Sequence, residues 1–199
     1  MTYSKSEKTK QFIIERVAPI FNKKGYAGTS LSDLTEATGL TKGSIYGNFK
    51  NKDEVAIEAC KYNLSLVVQS LMTGTDGSNA TSFDKLLTLA KNYLKAYGQL
   101  MSMGGCPILN TASDADDTHP TLKKMVQDTV VGLKNFMISL IKESIEQEQI
   151  KADTNPEKTA NVVIALAEGG FLISKLFNDK RYFKNSIEQV EEIIMGLKL

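Results

Sequence analysis

Residues 30–52 read SLSDLTEATGLTKGSIYGNFKNK, and two short helical patterns in them are separated by a glycine. Leu31, Leu34 and Ala37 recur at intervals of three, which places them on one side of a helix. Gly39 offers the backbone a positive-φ turn at little steric cost. Leu40 is an apolar residue within the turn, and Thr41 is placed to cap a second helix through its hydroxyl. Helix, glycine turn, helix is the skeleton of the helix-turn-helix, whose second helix enters the DNA major groove.

Mapped at 100° per residue, Ile45 and Phe49 of the second helix face inward. Gly43 and Gly47 fall roughly opposite, with Ser44 and Asn48 on one flank and Lys42 and Tyr46 on the other. Each glycine costs about 1 kcal/mol relative to alanine in a helix interior, so an outer face this lean needs a compensating benefit. Close approach of the backbone to a groove floor is such a benefit, and it leaves base edges to Lys42, Ser44 and Asn48. The plain alternative is a short, poorly stable helix held only by Ile45 and Phe49. Downstream, Lys52 opens a further helix capped by Asn51, with Glu54 completing a capping-box pattern. The free N–H groups of that helix start and the lysine charge both favour a phosphate.

The stretch GYAGTSLSDLTEATGLTKGSIYGNFKNKDEV resembles the DNA-binding signature of the TetR family of bacterial one-component repressors. The resemblance rests on Phe21, Gly25, Tyr26, Thr29, Ser30, Leu34, Gly39, Leu40, Thr41, Gly43, Ile45, Tyr46, Phe49, Lys52 and Val55. Gly47 and Asn48 depart from it, standing where aromatic residues or histidine are common, and this leaves the base preference open. The resemblance implies phosphate contacts at Ser30, Thr41, Tyr46 and Lys52. It implies approach to bases at Ser32, Lys42, Gly43, Ser44, Gly47 and Asn48.

The chain has 199 residues, 42% hydrophobic and 24% charged, the composition of an ordinary globular protein. Its net charge is only +1, but residues 1–55 hold nine basic and six acidic side chains, a net +3 on the head. A mildly basic head on a mildly acidic body fits a small DNA footprint. Cys60 and Cys106 are too few for a disulfide framework or zinc site, and His119 is the one imidazole. Asp114, Asp116, Asp117 and His119 read as a solvated loop with helix N-terminal charge rather than metal ligands. No metal or cofactor is expected. The start MTYSKSEKTK lacks the apolar core of a signal peptide, and no apolar run approaches the ~20 residues of a membrane span. The expected location is cytoplasmic, with free thiols and no membrane association.

Outward from the motif, Ser4 and Glu7 form a capping box opening a helix that runs to about Lys24, with Gly25 as its stop. Pro19 sits inside its apolar stripe and is expected to kink it. A long helix runs from Asn51 to about Thr73, followed by a polar loop at 73–79. Amphipathic patterns then predict helices over 81–101, a short piece over 107–112, 120–149, 156–177 and 182–197. The expected fold is all-α with about nine helices: a three-helix DNA-binding head (1–50) and a six-helix ligand-binding and dimerisation body (51–199).

In the body, the last two helices resemble the family's dimerisation pair. The expected interface uses Gly169, Gly170, Ile187, Val190 and Ile194, the glycines allowing close backbone approach within the bundle or across a dimer. Tyr62, Tyr93, Tyr97, Met101, Met103, Cys106, Met125, Phe136, Met137 and Phe171 could wall a pocket for a small apolar or amphipathic effector, with Asn110 and Glu168 as polar handles. Each is also an ordinary core residue. Cys106 has no basic neighbour in sequence to lower its pKa, so a structural thiol is favoured over a redox sensor.

The function read from these residues is a dimeric repressor that binds a palindromic operator and is released by a small molecule. Ligand-independent DNA binding, or a helical adaptor that has lost DNA binding, are the alternatives. The chain has no nucleophile elbow and no phosphate loop to support an enzyme.

Overall fold

The computed structural model describes residues 4–75 and 80–199. Among these it contains nine α-helices and no strand beyond a single bridge between Ile150 and Lys198. The helices are α1 (Lys5–Gly28), α2 (Leu31–Thr38), α3 (Lys42–Tyr46), α4 (Lys52–Met72), α5 (Ser82–Ser102), α6 (Pro107–Ala115), α7 (Pro120–Glu146), α8 (Pro156–Phe177) and α9 (Lys180–Met195). The all-α expectation holds. Of the expected polar loop at 73–79, residues 76–79 lie outside the described residues.

The chain forms two compact units, Met1–Leu66 with Ser102–Gln127, and Val67–Met101 with Asp128–Leu199. In the first, Ile13, Val17 and Ala18 of α1 pack with Leu34, Ile45, Phe49, Val55 and Ala59. Ser4 caps α1 by accepting the Glu7 N–H (3.2 Å), while Glu7 accepts the Ser4 N–H (2.7 Å). The break inside α1 falls at Gly25 (φ 70°) rather than at Pro19, which keeps helical backbone angles. A Cβ at Gly25 would stand 2.1 Å from an Asp114 carboxylate oxygen, so both the backbone angle and the space require glycine.

The segment 103–119 closes on the same unit through buried polar contacts. Asn22 Nδ2 donates to the carbonyls of Met103 and Gly105, both at 2.9 Å. Asn110 Nδ2 returns the link to the Asn22 carbonyl at 3.0 Å. Satisfied amides of this kind fix one register between α1 and α6, because a slip would leave buried donors and acceptors without partners.

In the second unit, α8 packs on α9 with Gly170 against Ser186. Tyr93 and Tyr97 of α5, Phe171 of α8 and Phe183 of α9 form a cluster with ring centroids 5.0–5.9 Å apart. Helix α8 is long and apolar enough, by length and composition alone, to cross a membrane. Its apolar content lies on two faces. Val163, Ala167 and Phe171 are buried, whereas Val162, Leu172, Ile173, Leu176 and Phe177 are exposed.

Candidate nucleic-acid interface

The geometry of α2, its turn and α3 follows from local capping. Ser30 caps α2 by accepting the Asp33 N–H (3.2 Å), and its own hydroxyl donates to Asp33 (2.8 Å). Lys24 also donates to Asp33 at 2.6 Å; first this contact, then the bonds from Ser30, hold its carboxyl far below the usual range. Gly39 takes the left-handed conformation (φ 67°) that ends α2. Thr41 then accepts the Ser44 N–H (3.2 Å), starting α3.

Ile45 is fully buried and Phe49 nearly so, and each contributes about 1.5–3 kcal/mol by its burial. These two side chains hold a five-residue helix on the core. Its other face is open: Thr41, Lys42, Gly43, Ser44 and Gly47 are all exposed. A Cβ at Gly43 would meet nothing nearer than 3.9 Å, so packing within the protein does not demand a glycine there.

Ser32 is also exposed, and Tyr46 is half-buried against the head core. Asn48 departs from expectation. It is half-buried, and its Nδ2 donates back to the Ser44 carbonyl at 2.9 Å rather than standing free. Lys52 lies at the start of α4 with its ammonium 4.5 Å from the centroid of Tyr26. Asn51 accepts the Glu54 N–H at 2.9 Å, as the capping pattern predicts, but Glu54 reaches back to the Lys50 N–H (2.6 Å), one residue earlier than the standard box. His119, expected in a solvated loop, is instead buried, and its side chain meets that of Asp53 at 2.7 Å across 66 residues. Asp114 and Asp116 are likewise engaged elsewhere, with the Tyr26 N–H and Lys123.

The effector candidates divide between the units. Tyr62, Cys106, Asn110 and Met125 belong to the first. Tyr93, Tyr97, Met101, Phe136, Met137, Glu168 and Phe171 belong to the second. Tyr93, Tyr97 and Phe171 are buried against one another and Phe183, and the phenols bond to Glu168 (2.8 Å) and Ser174 (2.7 Å). Cys106 is fully buried at the start of α6, and Met103 is also buried.

The dimer candidates need correction. Ile187, Val190 and Ile194 are 1–2% exposed within the single chain, so they have no area left to give a partner. Gly170 serves the internal α8–α9 contact, while Gly169 has open space beside it.

A capped, solvent-facing second helix on a three-helix core defines a helix-turn-helix DNA-binding regulator. Residues 13–59 match the family described as "Bacterial regulatory proteins, tetR family", and residues 82–190 match "Tetracyclin repressor-like, C-terminal domain". The chain belongs to the TetR family of bacterial transcriptional regulators. It is 23% identical over 187 residues to the HTH-type transcriptional repressor DhaR of Mycobacterium sp. (strain GP1), covering 94% of this chain and 92% of DhaR. A TetR-family regulator from Cytophaga hutchinsonii superposes with a TM-score of 0.90 at 43% identity, covering 100% of this chain and 99% of the other. A second, from Chloroflexus aurantiacus, gives a TM-score of 0.91 at 27% identity, with 98% of each chain covered.

Proposed function

We propose that the protein is a homodimeric repressor that holds a palindromic operator and releases it on binding a small apolar or amphipathic effector. The observation that carries the reading is the open face of α3, with Lys42, Gly43 and Ser44 exposed on a helix anchored by Ile45. Lys42, Gly43, Ser44 and Gly47 approach bases, with Ser32 beside them. Thr41, Tyr46, Lys52 and the Ser30 cap meet phosphates. Residues 1–50 supply these contacts together with Lys52 at the start of α4, and the remainder of 51–199 serves regulation and dimerisation. The protein acts in the cytoplasm, where its DNA lies.

The stripe of α8 formed by exposed Val162, Leu172, Ile173 and Leu176, with half-buried Gly169 between them, is the surface that supports dimerisation. One helix-turn-helix buries little DNA surface, whereas two held ~34–36 Å apart read both halves of a palindrome. An effector that binds the DNA-incompetent arrangement more tightly lowers operator affinity tenfold for about 1.4 kcal/mol of coupling. Ligand-independent regulation is the second reading. The close ring packing of Tyr93, Tyr97, Phe171 and Phe183 favours it, since these rings then form core rather than pocket wall.

The test is mapping of bound DNA across the host genome, followed by titration of the recovered fragment with the purified protein. A palindromic fragment bound by a dimer, with affinity falling steeply as salt rises, is the expected result. A monomer that shows no preference among duplexes refutes the reading.

A further inference from the structure

Tyr26 is held from three directions within the first unit. Its backbone N–H, directly after the break at Gly25, donates to Asp114 Oδ2 at 2.7 Å. His119 meets its ring edge-on with centroids 4.7 Å apart, and the Lys52 ammonium lies 4.5 Å from its centroid. His119 is itself 7% exposed and has both nitrogens engaged. Nδ1 accepts the Leu122 N–H at 3.2 Å, which puts the proton of the neutral ring on Nε2. Nε2 therefore donates to Asp53 Oδ1 at 2.7 Å. Burial first, and then the Asp53 carboxylate, raise the Tyr26 phenol above its ordinary pKa, placing that carboxylate against the phenol as well.

Asp53 is a puzzling neighbour for a phosphate-binding lysine. A carboxylate whose side chain is 46% exposed, one residue after Lys52, repels the same phosphates that Lys52 attracts. We infer that Asp53 and His119 are positioning residues for the phosphate contact of Lys52, a role that rests on the DNA-binding reading proposed above. His119 fixes Asp53 and packs against the Tyr26 ring; Tyr26 in turn offers its face to the Lys52 ammonium. A lysine on a flexible four-carbon stem loses rotamer freedom on binding, and a pre-formed cation–π seat reduces that loss. Because His119 also caps α7 through Nδ1, the start of α7 and the DNA contact of α4 share one imidazole.

Charge and positioning predict opposite signs for one substitution. Removing the negative charge with Asp53→Asn strengthens DNA binding if Asp53 acts only through its charge. It weakens binding if Asp53 holds the seat. The experiment is a salt titration of binding to a mixed-sequence duplex of about thirty base pairs, roughly three helical turns, read by fluorescence anisotropy on the full-length protein.

His119→Phe should weaken binding roughly tenfold, the size of a lost charge-assisted hydrogen bond. Asp53→Asn, whose amide oxygen still accepts from Nε2 but without the charge, should weaken it by a smaller factor. The slope of log K against log salt should fall by about one per half-site. His119→Gln, which keeps a donor, should recover part of the affinity. In a Lys52→Ala background neither substitution should weaken binding further, because the seat then holds nothing. Tighter or unchanged binding by Asp53→Asn, or losses that add to that of Lys52→Ala, overturn the inference while leaving the DNA-binding reading intact. Should His119→Phe fail to fold, the half-exposed Asp53→Asn still decides the sign. A parent protein that binds no duplex overturns both together.

Discussion

Gly170 of α8 sits so close to Ser186 of α9 that a Cβ added to it would lie 2.2 Å from the serine hydroxyl oxygen and 2.4 Å from its Cβ. The adjacent Gly169 has nothing within 4 Å of the same hypothetical atom. Two consecutive glycines therefore face different demands: packing within this chain requires Gly170 and leaves Gly169 open.

Alanine substitutions separate those demands. At Gly170 the steric cost of overpacking, about 1–3 kcal/mol, exceeds the roughly 1 kcal/mol gained in helix propensity, so Gly170→Ala destabilises the protein in urea unfolding at every concentration. At Gly169 the space is open, and Gly169→Ala gains up to about 1 kcal/mol in dilute protein. If Gly169 lies at the dimer seam, that gain shrinks or reverses as concentration rises, because dimer stability depends on protomer concentration. A gain that stays constant with concentration removes Gly169 from the interface.

The DNA face yields a second contrast. Tyr46→Ala and Lys52→Ala should weaken binding to all sequences alike, since phosphate contacts carry no base information. Lys42→Ala and Ser44→Ala should change which base is preferred, by about 1–3 kcal/mol at the affected position. Asn48→Ala should alter preference less than Lys42→Ala, because the Asn48 amide already donates to the Ser44 carbonyl. Selection from a randomised duplex pool checks all five. An unchanged operator affinity for Tyr46→Ala contradicts the assignment of α3.

What the sequence could reveal tracks the distance over which each interaction acts. The caps at Ser4, Thr41 and Asn51 were legible because donor and acceptor lie within four residues, where backbone geometry alone brings them together. The turn at Gly39 was legible for the same reason. The links from Asn22 to Asn110, Tyr26 to Asp114 and Asp53 to His119 join residues 66–88 positions apart, and no periodicity in either partner announces them. Apolar spacing also shows only that a face is buried. It marked Ile187, Val190 and Ile194 as one face without telling a core from a partner, and the structure assigns that face to the core.

Asp33 gives a pH prediction with a definite sign. Lys24 first, and then Ser30, depress its pKa in the folded protein, so its contribution to stability is complete above the unfolded value of about 3.9. It is lost as pH falls below that value toward the folded one. Asp33→Asn should therefore lower stability by a constant amount at neutral pH, and the difference should shrink as pH drops below about 4. Urea unfolding of both proteins between neutral pH and the acid limit of folding checks this. A difference that persists undiminished into acid means the carboxylate charge is not the source.

The two cysteines allow a last prediction, on reactivity. Burial pushes the Cys60 thiol up to about 11, against a smaller opposite effect from its hydrogen bond with Thr111. At neutral pH almost none of it is thiolate, the form that attacks a disulfide reagent. Cys106 has no exposed surface at all. Access, rather than ionisation alone, should then set the labelling rate of both in the native protein. With an aromatic disulfide reagent at neutral pH, the two thiols should react only as the structure opens, at rates that rise with urea along with the unfolded fraction. Rapid labelling of Cys106 in buffer, with the helical signal unchanged, would show that the start of α6 opens on its own and would return the thiol to consideration as a sensor.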